Sequence, residues 1–163
     1  MHRLRRTSVF VITLALLAGL GSSSLGQTEQ EVLPDMVALT AANEAAFNEA
    51  FWAEDIDAVM ATFTDDVVFE DELFGDYLEG AAAVRGMYEA VFYITDPGTN
   101  VVTDQFISAD GSRAVQILRW RGTSGSGRPF DIPTLALHEY RDGKIAREVM
   151  YYADRDAFAK LAE

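Results

Sequence analysis

The chain has 163 residues, 26 acidic against 13 basic for a formal net charge of −13, and no cysteine. That balance argues against nucleic acid and anionic membrane surfaces as partners, because both reward Lys and Arg. The absence of cysteine excludes disulfides, a cysteine-borne lipid anchor and thiol chemistry, and with only His2 and His138 there is no His/Cys zinc cluster to build.

The N-terminus reads MHRLRR, then the uncharged apolar run SVFVITLALLAGL, then the small-residue stretch GSSSLGQ. This is the layout of a secretory signal peptide over residues 1–27. The apolar run falls short of the roughly 20 residues a membrane helix needs. A secreted or periplasmic protein is therefore expected, with no stable membrane association after cleavage. Cleavage would remove three of the 13 basic residues and no acid, leaving 10 against 26, a net charge of −16. Residues 28–35 are polar and aperiodic and read as a tether, which leaves 36–163 as a single domain.

From Met36 to about Ala53, Val37, Ala41, Ala45, Phe47 and Phe51 recur near the helical period. Asp55 is placed to cap a second helix to Phe63 with Val59, Met60 and Phe63 inward. Val67 to Asp71 alternates like a strand, Gly75 to Gly80 reads as a turn region, and Ala81 to Phe92 as a third helix with Val84, Met87, Tyr88 and Val91 on its apolar side. After residues 96–100 the period changes to two. Val101–Ser108, Ala114–Gly122, Phe130–Arg141 and Ile145–Tyr152 read as strands, the last two joined by a strong hairpin signal at Asp142-Gly143. Helices followed by an antiparallel meander imply an α+β fold with a curved antiparallel sheet wrapped around N-terminal helices. The loop RGTSGSGRPF lacks the Lys and the following helix of a phosphate cradle. The acidic string EDELFGDYLEG lacks the ligand spacing of a calcium loop, so no metal or cofactor is expected.

Three strings, FNEAFWAEDIDAVMATFTDDVVFED, AAAVRGMYEAVF and LHEYRDGKIAREVMYYADRDAF, resemble the SnoaL-like branch of the nuclear transport factor 2-like superfamily, whose members form a cone-shaped α+β barrel. The resemblance covers the whole mature chain and implies a homodimer through paired sheets. In the ketosteroid isomerases of that superfamily, a string like FTDDVVFED ends in the general base, here Asp71; the oxyanion donors of those enzymes fall on Phe47 and Ala136, which donate nothing. The water-positioning and acid positions of limonene epoxide hydrolases fall on Phe69, Asp71, Ile117, Arg119 and Tyr151, without the later acids. The acid/base aspartate of SnoaL-type polyketide cyclases has no clear counterpart.

Strand alternation adds a view independent of any family. Val67, Phe69 and Asp71 share a face, as do Ile117 and Arg119, then Thr134, Ala136, His138 and Tyr140, then Val149 and Tyr151. If these faces converge, Asp71, His138 and Tyr151 are the candidate catalytic groups. Phe47, Phe69, Arg119, Trp120 and Ala136 then surround a small, mostly apolar ligand. The expected chemistry is cofactor-independent proton transfer of the isomerase, cyclase or dehydratase type with Asp71 as base. The alternative is a non-catalytic binding or assembly module whose cone is filled by its own side chains.

Overall fold

A computed structural model describes residues 35–73, 75–154, 156, 157 and 161. The leader expected over 1–27, and the tether apart from its last residue, lie outside the described residues. The elements run α1 (Met36–Trp52), α2 (Ile56–Ala61), β1 (Phe63–Asp71), β2 (Asp76–Glu79), α3 (Ala81–Ile94), β3 (Thr95–Ile107), β4 (Arg113–Ser124), β5 (Pro129–Arg141) and β6 (Lys144–Tyr152). Among the described residues no helix is long and apolar enough to cross a membrane.

Local chemistry sets the helix boundaries. The Asp35 carboxylate accepts the Ala38 N–H at 3.1 Å and that of Asp55 accepts the Ala58 N–H at 3.0 Å, each satisfying one of the amides left open in a first helical turn. Asp154 likewise accepts the Ala157 N–H at 2.9 Å. The Asp142-Gly143 turn has both residues at positive φ, 53° and 75°, the backbone that matches the twist of a two-residue hairpin.

The six strands form one curved, unclosed sheet in the order β2-β1-β6-β5-β4-β3. Every pairing is antiparallel except β1 with β6, which is parallel. Two segments differ from expectation. Residues 76–79, read as part of a turn, form β2 against the end of β1, with Phe69 opposite Leu78 and Asp71 opposite Asp76. The strand expected from Val101 begins at Thr95, directly out of α3, because the long β4 reaches back to pair Ser124 with Thr95. Neither signal is local, since each depends on a partner strand distant in sequence.

The helices cover the concave face. Phe47 and Phe51 of α1, Val59 of α2, Val84 and Tyr88 of α3, and Phe69, Leu118, Trp120, Ile132 and Ala136 of the sheet form the core. The buried face of α1 is Thr40, Glu44, Phe47, Ala50 and Phe51, not the face carrying Val37 and Ala45, both of which are exposed. An acid therefore stands on the inward stripe of the first helix.

Candidate functional site

The inward Glu44 meets a strand histidine. His138 Nδ1 lies 2.7 Å from Glu44 Oε1, and on its other side His138 Nε2 lies 3.4 Å from Glu148 Oε1. All three side chains are shielded from solvent, with relative exposures of 1%, 0% and 2% for His138, Glu44 and Glu148. Two phenols complete the array. The Tyr88 hydroxyl donates to Glu148 Oε2 at 2.7 Å and the Tyr140 hydroxyl donates to Glu44 Oε1 at 2.8 Å. Burial by itself drives the His138 imidazole toward neutrality, but the Glu44 and Glu148 carboxylates overcome it and hold its pKa at about 10. His138 is thus an imidazolium at neutral pH and donates from both nitrogens. Burial first, and then the Glu148 charge, push the Tyr88 phenol well above its ordinary value; burial and the Glu44 charge do the same to Tyr140. Both remain neutral donors.

Each member is placed by its element. Glu44 is three residues before Phe47 and seven before Phe51 on one helical stripe. Thr134, Ala136 and His138 alternate inward on β5, and the register sets His138 opposite Glu148 on β6. On α3 the buried Tyr88 is one turn from the buried Val84.

Beside this array lies a cavity of about 40 Å³, room for roughly three waters at 10–15 Å³ each. Its wall is aromatic and aliphatic, with Phe47, Phe51, Phe69, Tyr88, Trp120 and Tyr152 supplying rings and Ala136 lying among them. Asn100 and Gln116 add amides, and Glu148 is the single acid among the described residues of the wall, which include no Lys or Arg.

The candidate residues fall in different places. Phe47, Phe69, Trp120 and Ala136 line the cavity, and His138 sits behind Glu148. Asp71 is buried at the end of β1, in step with Val67 and Phe69, where its carboxylate accepts the Leu73 N–H at 2.7 Å. It is not among the described residues lining the cavity. Its charge is nonetheless felt there: burial first, and then Asp71, raise the pKa of the cavity-lining Tyr152. Arg119 and Tyr151 are not brought to this place. Arg119 pairs with Asp131 at 2.6 Å on the outer face of the sheet, and Tyr151 and Ile117 are each 42% exposed. The faces of β4 and β6 are thus the reverse of those expected, because both faces of each strand carry apolar residues. Gln116, Leu118 and Trp120 of β4, with Glu148, Met150 and Tyr152 of β6, turn inward.

Glu44, Glu148 and Tyr88 were not singled out by sequence reasoning as site residues. A signal existed for Glu44, an acid on the stripe of Phe47 and Phe51, and for Glu148, which alternates with Tyr152. Neither is distinctive without the partner that burial and register supply.

A SnoaL-like domain model matches residues 45–148. The chain belongs to the SnoaL-like family. Solved structures share the fold. A candidate polyketide cyclase of Xanthomonas campestris pv. campestris superposes with a TM-score of 0.70 at 21% identity, over 77% of this chain and 98% of that one. A candidate polyketide cyclase of Pseudomonas putida gives 0.64 at 24% identity, over 75% and 96%. A Catenulispora acidiphila protein with a ketosteroid isomerase-like fold, solved in complex with trimethylamine, gives 0.65 at 17% identity, over 74% and 92%. No curated protein matches the chain. At these identities the structures establish the fold, which within this superfamily hosts many chemistries.

Proposed function

We propose that this SnoaL-like protein binds a small, mostly apolar molecule in the cavity between α1, α3 and the sheet, and acts on it by cofactor-independent proton transfer. The observation that carries the reading is the meeting of an apolar wall with one carboxylate, Glu148, anchored by His138 and Tyr88. A general base must lie within reach of the proton it takes. Glu148 faces the cavity, whereas Asp71, the position matching the isomerase base, stands beyond the described wall. In the proposed step, a substrate C–H proton passes to the Glu148 carboxylate and its electron pair moves to an enolate oxygen. Asn100 and Tyr152 carry donors on the same wall, and the proton returns at the second carbon. His138 holds Glu148 in place. Asp71 enters through the electrostatics of Tyr152. The neighbour crystallised with trimethylamine supports small-molecule binding in this fold.

The apolar residues exposed on the outer sheet face, Phe106, Ile117 and Tyr151, support a homodimer as the assembled form. Export through the N-terminal leader, to the periplasm or beyond the cell, belongs to the same proposal.

The test compares wild type, Glu148→Gln and Asp71→Asn on a panel of small enolisable ketones, following deuterium exchange at the carbon acid by NMR. The expected result is exchange in wild type, a loss of about 100-fold or more in Glu148→Gln, and a smaller loss in Asp71→Asn. Equal exchange in wild type and Glu148→Gln overturns the assignment of the base. Saturable binding without exchange would instead favour the binding-module reading, to which Phe47 and Ala136, standing at the isomerase donor positions, already lend support.

A further inference from the structure

The array behind the cavity is unbalanced. It sets one imidazolium against two carboxylates, and among the described residues that hydrogen-bond within it there is no Arg or Lys. The imbalance shows in its bonding: Glu44 Oε1 accepts from His138 and Tyr140, while Glu44 Oε2 is buried with no hydrogen-bond partner. At the other end His138 reaches Glu148 only at 3.4 Å, against 2.7 Å to Glu44. Glu148, the carboxylate that His138 holds at the longer distance, is the one that lines the cavity. Burying charge without compensation is costly, and the space beside Glu148 is walled by aromatic rings, whose faces attract cations within about 6 Å of a ring centroid. Phe47 and Tyr88, two of those rings, pack edge to face at 5.9 Å. The chain's net charge of −13 favours the approach of cations over anions.

We propose that the cavity selects a small cationic ligand, a methylated or otherwise substituted ammonium group, whose charge rests against Glu148 and whose alkyl groups contact Phe69, Trp120 and Tyr152. This rests on the reading of the cavity as a small-molecule site and names the ligand class. The volume of about 40 Å³ suits a group of a few heavy atoms rather than a fused-ring system. Substitution on nitrogen matters because alkyl groups contact the aromatic rings that make up most of this wall, where the cation is attracted to their faces.

The experiment titrates the full mature chain with tetramethylammonium chloride and, separately, with the neutral isostere tert-butanol. Isothermal calorimetry and NMR shifts of the cavity aromatics are the readouts, with sodium chloride as the ionic-strength control. The proposal expects the cation to bind at least about tenfold more tightly than the alcohol in wild type. Glu148→Gln should erase the difference, and Phe69→Leu, which keeps the wall apolar, should weaken the cation more than the alcohol. Thermal unfolding of both variants shows that they are folded. If Glu148→Gln does not fold, Phe69→Leu carries the test. Alcohol binding as tight as cation binding overturns the cationic class while leaving the small-molecule site standing. Equal cation binding by wild type and the folded variants reduces it to surface attraction and overturns the proposal. Shifts from neither probe overturn the site itself.

Discussion

Replacing His138 by Gln tests the buried array most directly. The imidazole pKa is 6.5 in the unfolded chain and about 10 in the fold, so folding is linked to proton uptake. A folded value above the unfolded one contributes stability that is complete below about pH 6.5 and is lost as pH rises toward about 10. At about 1.4 kcal/mol per pH unit, the full contribution is about 5 kcal/mol. This is close to the roughly 3–5 kcal/mol lost when a buried ion pair loses one partner. Two signatures are expected. Urea unfolding at pH 6.5 should place His138→Gln about 3–5 kcal/mol below wild type. Between pH 7 and 9 wild-type stability should fall by about 1.4 kcal/mol per pH unit relative to the variant, whose own profile lacks that component. Working below pH 9 keeps tyrosine ionisation small, since in the unfolded chain it is half complete near pH 10. Parallel profiles for the two proteins over that window would refute the imidazolium, and with it the charge imbalance built on it.

Gly111→Ala drives a Cβ into the Met36 backbone carbonyl at a φ of +70°, so a loss of at least about 2 kcal/mol is expected in chemical denaturation. Asp55→Ala removes a helix cap and should cost about 1 kcal/mol by the same assay. Ile117→Lys on the outer sheet face should turn the proposed dimer into a monomer in light scattering with little change in the cavity. An unchanged mass would remove that face from the proposed assembly.

The parts of the fold legible in the sequence are those whose causes are local. Ala-rich periodicity marked α1, the Asp55 cap marked α2, and the Asp142-Gly143 pair marked the hairpin of β5 and β6. β2 was not legible, because its four residues are a strand only by virtue of their pairing with Val68 to Asp71. The inward step of Val67, Phe69 and Asp71 was readable because one face of β1 is clearly more apolar. On β4 the step was not, since the buried Gln116 alternates with the apolar but exposed Ile117. For the cavity, the scarcity of histidine drew attention to His138. It did not reveal which of 26 acids would stand against it. That choice is made by tertiary register, which joins residues separated by 94 positions for Glu44 and by 10 for Glu148.

The same separation says something about how this chain acquires its native state. Polar links hold α1 to distant parts of the chain, among them Thr40 to the Gly111 carbonyl, Asn43 to the Gly143 carbonyl, and Glu44 to His138. During vectorial synthesis the first helix emerges with its inward acid already in place, and its counterion follows more than ninety residues later. Until β5 and β6 are in place, Glu44 is better solvated than docked. The helix and its acid are therefore expected to close over the sheet as a late event in folding. A molecule that engages the completed array would then report on the integrity of the entire domain, and would raise its global unfolding temperature rather than the order of any one loop.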